Sequence, residues 1–479
     1  MSKAPLALLL LLTGCVSAPT YRTPDTPPAA LGSFVTRPAG VDPTISPASD
    51  WWRLFDDPAL DKLIGEALAA NTDLRIAEAN LRRARAVATE ARSTRAPGIE
   101  VTGEAAYGDI PAGGGPSATD QSWTYNANLG VAWEVDLFGR ISAAIRAANA
   151  DASATEAARD AVRVAVVAQT ARAYSDACAY GEAIEVARSS LGTTEESLRI
   201  ITAQERAGSA ATFDVDRAAA QAARARAALP PLQDQRQAAI FELAALLGRT
   251  PAAAPPEAAA CVRTPTAHSA LPVGDGAALL RRRPDVREAE RRLAADTARV
   301  GVAVADLYPK IRLGGSVGYA ESGSSQSGDG VTFSVGPLIS WTFRNPTAAR
   351  SRVAQARAGS EASLAAFDRT VLTALKEAEQ ALSAYGAGDE RRNALQEARD
   401  RADHAYGLAS TRYRAGSLSY LDVLVAQRDL LEANSELAAS TQQLAAARIG
   451  LFKALGGGWD AAAPSPSGLT QAPTARPTP

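Results

Sequence analysis

Histidine is nearly absent from this 479-residue chain, which has only His268 and His404, and cysteine is limited to Cys15, Cys178 and Cys261. So few candidates leave little material for a metal centre or a Cys/His catalytic pair. No serine nucleophile elbow and no glycine-rich phosphate loop occurs either. An enzyme is not expected, and no catalytic residue, metal ligand or cofactor is assigned. Excess charge is lacking too: 50 Lys and Arg against 52 Asp and Glu give a formal net charge of −2, no reason to expect nucleic acid. The apolar run from Leu6 to Leu12 is too short to span a bilayer permanently.

That run follows Lys3 and ends in Leu12-Thr13-Gly14-Cys15, the charged start and short apolar core of a signal peptide. The last four residues resemble the lipobox of bacterial lipoproteins. The resemblance implies removal of residues 1–14 and a covalent lipid on Cys15, whose acyl chains anchor the protein. Val16 follows, not the aspartate that resembles an inner-membrane retention signal, so the outer membrane is the expected destination. An ordinary signal peptide with a chance cysteine is the alternative. A Cys178–Cys261 disulfide remains open in an oxidising compartment. The expectation is that they stay separate, because Cys178 sits in an Ala-rich helix and reads as a small buried apolar group.

Residues 15–50 are rich in Pro, Thr, Ser and Ala and read as an extended strap. Asp57-Pro58 then starts a helix, with Asp57 as N-cap, that is expected to run to about Arg95. Ile99, Val101, Ala105 and Tyr107 alternate with Glu100, Thr102 and Glu104 in a first strand. Trp123, Tyr125, Leu129, Val131, Trp133 and Val135 alternate with Thr124, Asn126, Asn128, Gly130, Ala132 and Glu134 in a second, after a loop over Gly108–Gln121. Beyond Gly139 the period of two gives way to a proline-free, Ala-rich helix ending at Arg206-Ala207-Gly208, on the order of 100 Å long. Ile184, Leu191 and Leu198, seven apart, suit a coiled-coil-like seam.

The second half repeats the first. Adding 212 carries Asp73-Leu74-Arg75 onto Asp285-Val286-Arg287, Pro97 onto Pro309 and Tyr107 onto Tyr319. Past the hairpin loop an offset of 208 carries Trp133 onto Trp341, Arg206-Ala207-Gly208-Ser209 onto Arg414-Ala415-Gly416-Ser417, and Asp214 onto Asp422. The second long helix starts at Asn345-Pro346. Repeats at 51–248 and 284–456, a linker at 249–283 and a Pro/Ser/Thr/Ala-rich disordered tail at 457–479 follow.

Four two-faced strands cannot close a membrane barrel, which needs at least about eight. The chain must therefore oligomerise; three copies supply twelve strands and leave a lumen, where two copies leave an interior filled by side chains. The expected fold is mainly α with membrane β. Tyr107, Trp133, Tyr319, Trp341 and Phe343 are candidate interfacial girdles. Glu100, Glu104, Glu134 and Asp136 are expected on the lumen face, favouring cations mildly.

Four stretches carry a resemblance to the TolC-like outer-membrane channel family, specifically its lipoprotein branch in tripartite efflux systems. They are Trp52-Arg53-Leu54-Phe55 with Asp57-Pro58-Ala59-Leu60, Arg282-Arg283-Pro284-Asp285-Val286, Leu307-Tyr308-Pro309-Lys310-Ile311, and Tyr413-Arg414-Ala415-Gly416 with Ser419-Tyr420-Leu421-Asp422-Val423-Leu424. The resemblance implies a homotrimer with a twelve-stranded barrel in the outer membrane and a twelve-helix periplasmic tunnel. It also implies passive export of drugs, toxic compounds or metal ions, a periplasmic adaptor docked at the helical tips, and an RND-type transporter in the inner membrane. A type I protein-secretion duct and a non-pore scaffold lipoprotein are the alternatives.

The turns Arg206-Ala207-Gly208-Ser209 and Arg414-Ala415-Gly416-Ser417 are the expected adaptor-docking surface, since a tight reversal needs left-handed backbone geometry. In the resembled family, acids and arginines hold the tip shut, which points to Asp214, Asp422, Arg428 and Asp429. An acid in a helix's first turn is equally explained by the helix dipole. Many relatives place aspartate directly before Ala-Gln-Arg, whereas here Val425 precedes Ala426-Gln427-Arg428.

Overall fold

The computed structural model describes residues 20–111, 119–267, 269–322, 330–341 and 346–458. The signal peptide, Cys15, His268, Phe343, Asn345 and the tail from 459 lie outside the described residues. The chain divides into two compact units.

The first unit holds Glu78–Ala158 and Asp285–Thr370. Its sheet is formed by β2 (Gly98–Pro111), β3 (Thr119–Val135), β5 (Lys310–Ser322) and β6 (Gly330–Ser340), ordered β2-β3-β5-β6 with antiparallel neighbours. Both hairpin strands of the first copy run past the expected loop boundaries, so only 112–118 separate them. Register puts Val101, Leu129, Val317 and Phe333 in one cross-strand row and pairs Tyr107 with Trp123. The period of two thus becomes one continuous apolar face. That face is bare: Phe333 and Val335 are 81% and 85% exposed. On the other face Ser316 and Ser334 hydroxyls meet at 2.8 Å.

Four helices of this unit follow the strand order. They are the later part of α2 (Thr72–Ser93), the start of α3 (Arg140–Arg206), α8 (Pro284–Ala305) and the start of α9 (Pro346–Arg414). Arg85 meets Glu156 at 2.9 Å between α2 and α3, Arg299 meets Asp151 at 2.5 Å between α8 and α3, and Ser363 donates to Asp296 between α9 and α8. The repeat is visible in single bonds. Trp133 Nε1 donates to the Arg95 carbonyl at 2.9 Å, and its counterpart Trp341 donates to the Leu307 carbonyl at 3.3 Å.

Two of the acids expected on the lumen face have local bonds at the start of α3. Asp136 caps α3, accepting from the backbone N–H groups of Ile141 and Ser142 at 2.8 Å each, and Glu134 pairs with Arg140 at 2.7 Å and Arg312 at 3.7 Å. Where a strand hands over to a helix, the first N–H groups of the helix need acceptors, and Asp136 supplies two of them. Glu100 and Glu104 stay exposed on the strand.

The second unit holds Thr26–Ala77, Arg159–Pro284 and the chain from Val371. Its core is built around Trp51, 1% exposed, which stacks on Phe452 with centroids 4.7 Å apart. Asp57 caps α1 (Pro58–Ala70), accepting from the N–H groups of Ala59 and Leu60, while Tyr174 donates to its other oxygen at 2.9 Å. The single helix expected to reach Arg95 is broken at Asn71, whose Oδ1 accepts from Asp73 and Leu74 N–H and opens α2. The returning helix is broken too, into α4 (Thr212–Ala227) and α5 (Leu229–Leu246), because Pro230 and Pro231 have no N–H to continue the ladder. Its counterpart, α10 (Tyr420–Ala454), is unbroken.

Within the described residues the strap begins at Thr20. The backbone N–H groups of Val35 and Thr36 donate to the Glu379 carboxylate at 2.7 and 2.9 Å. Farther on, β1 (Val41–Asp42) pairs in parallel with β4 (Leu271–Pro272). Between the repeats lie α6 (Pro256–Ala260) and α7 (Gly276–Arg282). Against expectation, Cys178 and Cys261 form a disulfide across 83 residues, with Cα atoms 4.8 Å apart. Gly181 permits it, because a Cβ there would collide with the Cys261 carbonyl as the chain crosses α3. Arg236 ties down the same crossing by donating to the carbonyls of Ala259 and Cys261.

Candidate functional site: the paired helical turns

Both long helices, 67 and 69 residues, end in the same backbone motif. Gly208 N–H donates to the Glu205 carbonyl at 2.8 Å and Ser209 N–H to that of Gln204 at 2.9 Å; Gly416 and Ser417 repeat this with Tyr413 and Arg412. These are Schellman closures. Each glycine has φ +74, and a Cβ on either would meet nothing within 4 Å, so backbone handedness and not space selects glycine. Arg206, Ala207, Arg414 and Ala415 are exposed beside them. The serine hydroxyls add a second lock, donating to the Gln204 and Arg412 carbonyls at 3.0 and 3.1 Å.

A small core joins the two turns. Ile201, Ala218, Ala409, Tyr420, Val423 and Leu424 are buried together, with Leu198 of the expected seam packed against them. Tyr413 crosses between the turns, donating to Gln204 Oε1 at 2.5 Å. Buried Gln427 donates to Ser197 at 3.3 Å. The Tyr420 hydroxyl is buried without a hydrogen-bond partner. Burial first, then the nearby Tyr413 and Asp214, pushes it up to about 12.

The four residues expected at the gate do not bond to one another across the helices. Asp422 is held by the N-cap Ser419, which donates to its Oδ2 at 2.6 Å and accepts from its N–H. Arg428 pairs with its neighbour Asp429 at 3.0 Å. Asp214 is half-buried in the first turn of α4. Sequence reasoning missed Gln204, Gln427 and the pair Phe213 and Leu421, large apolar side chains 66% and 43% exposed at equivalent positions. Their alignment by the same offset of 208 was the available signal.

Among the described residues no helix is long and apolar enough to cross a membrane, and no His/Cys/Asp/Glu group of metal-binding geometry occurs. What the paired turns and the bare sheet correspond to emerges by comparison. Over 474 residues the chain is 31% identical to the pyoverdine export outer membrane protein OpmQ of Pseudomonas aeruginosa, covering 96% of this chain and 98% of the relative. It is also 31% identical to the toluene efflux pump outer membrane protein TtgC of Pseudomonas putida, covering 96% of each. The solved outer-membrane channel OprN superposes with a TM-score of 0.86 at 36% identity, covering 93% of this chain and all of that one. The family model described as outer membrane efflux protein matches 63–249 and 277–457. With both repeats matched, the chain belongs to the outer membrane efflux protein family.

Proposed function

We propose that this chain is the outer-membrane exit duct of a tripartite efflux pump. The observation that carries this reading is the bare apolar face of a four-stranded sheet with two unpaired edges, β2 and β6. Such a sheet is unfinished in water and in lipid alike, because exposed edges need partners and exposed apolar rows need hydrocarbon. Three copies joined edge to edge give a twelve-stranded barrel, and their long helices a twelve-helix periplasmic barrel. Cys15 carries the lipid, and the exposed turns at Gly208 and Gly416 dock the periplasmic adaptor of an inner-membrane RND-type transporter. Cargo is small molecules, in keeping with the pyoverdine and toluene named for its relatives. Asp214, Asp422, Arg428 and Asp429 hold the closed tip.

The purified trimer in planar bilayers tests this. A small, mostly closed conductance that rises in the Asp214→Ala, Asp422→Ala double variant is expected. Equal conductances return the aspartates to helix capping, and no conductance from trimeric material removes the duct. Metabolic labelling with palmitate, lost in Cys15→Ser, tests the anchor.

A further inference from the structure

In the second unit α3, the α4–α5 pair and α10 enclose a cleft of about 520 Å³, within the size range of small-molecule sites. Its floor exists because α3 presents Ala179, Ala183 and Ala187 at four-residue spacing, faced by Ala438 and Ala439 of α10. Leucine-sized side chains at these positions would fill the space between three packed helices. The third wall comes from both sides of the break at Ala228, with Ala225 ending α4 and Leu232 beginning α5. Pro230 and Pro231 give no N–H to the carbonyls four residues earlier, so this wall is built from two helices instead of one. The prolines have no counterpart in unbroken α10.

One unpaired guanidinium gives the cleft a polar anchor. The lining holds two guanidinium groups, Arg224 and Arg428, against one carboxylate, Glu432. Among the described residues Arg428 pairs with its own neighbour Asp429, and the exposed Arg224 side chain has no ion-pair or hydrogen-bond partner. A guanidinium beside an apolar floor suits a carboxylate or sulfonate, two of whose oxygens accept its parallel N–H hydrogen bonds. We propose that this cleft binds amphipathic organic anions of drug size, with the apolar body on the alanine floor and the carboxylate or sulfonate on Arg224. All walls come from one chain, so the site is complete without a partner copy, and it stands independently of the duct reading.

The test uses full-length protein in nanodiscs titrated with 1-anilinonaphthalene-8-sulfonate, with empty nanodiscs subtracted. Wild type should show saturable fluorescence at one site per chain. Ala183→Phe, which fills the cleft, should abolish it, Arg224→Gln should weaken it tenfold or more, and Arg224→Lys, which keeps the charge but loses the two parallel hydrogen bonds, should fall between Arg224→Gln and wild type. Circular dichroism and gel filtration verify the Phe variant, and Arg224 is a surface position whose change leaves folding intact. Binding no greater than to empty nanodiscs, as a second copy or the C-terminal tail seated in the cleft would produce, overturns the proposal. So does binding that survives either Ala183→Phe or Arg224→Gln.

Discussion

The Tyr413 hydroxyl donates to Gln204 Oε1 at 2.5 Å, tying the last turn of α9 to the last turn of α3 across 209 residues of sequence. Seven residues on, the Tyr420 hydroxyl is buried with nothing to bond. The same substitution at the two tyrosines should therefore have opposite signs. Tyr413→Phe removes a made bond with a net worth of ~1 kcal/mol, which corresponds to about a fivefold rise in the open fraction of the tip. Tyr420→Phe removes an unsatisfied buried group and should be neutral or stabilise by up to ~1 kcal/mol. Open probability in planar bilayers and thermal melts read the two. Equal effects from both would deny the bond any hold on the turns.

Gly208 and Gly416 face open space, so alanine at either meets only the backbone penalty of φ +74. That penalty is ~1–2 kcal/mol per site, and asparagine, which tolerates the left-handed region better, should recover part of it. Calorimetry of the four single variants decides the matter. A melting point unchanged by Gly416→Ala would mean the turn relaxes into another closure.

The Cys178–Cys261 bond closes a loop of 83 residues that contains the first helical turn. Cross-linking a loop of that size removes unfolded-state entropy worth roughly 4.5 kcal/mol, with measured disulfides commonly giving less. Cys178→Ser with Cys261→Ser should lower the melting point to that of reduced wild type. Thiol titration of the unfolded oxidised protein, which should find Cys178 and Cys261 blocked, checks the pairing directly.

Much of the fold is legible in the sequence. Alternation from Trp123 to Val135 gave the strand faces, and the shared Arg-Ala-Gly-Ser gave both Schellman turns, because each signal is local and geometric. What escaped was set by partners far along the chain or by a choice between equal local options. Asn71 sits in a helical pattern, yet its side chain accepts from Asp73 and Leu74 and restarts the helix. Glu134 and Asp136 continue the alternation, and only the position of α3 adds the roles of ion pair and helix cap. Cys178 looked like a buried apolar group because the segment bringing Cys261 over Gly181 carries no pattern of its own.

The strap offers a pH-dependent contact with a fixed sign. Burial alone would raise the Glu379 carboxyl, but the N–H groups of Thr36 and Val35 outweigh it and hold the group below the ordinary glutamate range. A carboxyl depressed in the folded state adds stability that is fully present above its unfolded value of about 4.3 and is lost as pH falls through the folded value. Strap attachment should thus be constant through neutral pH and weaken only below about pH 4. Glu379→Gln keeps the shape but makes one half of the side chain a donor facing two N–H groups. It should be less stable than wild type at pH 7, with the gap closing in acid as wild type loses its carboxylate. Thermal melts of both proteins from pH 7 to pH 3 read that gap; parallel curves would mean another group carries the acid sensitivity.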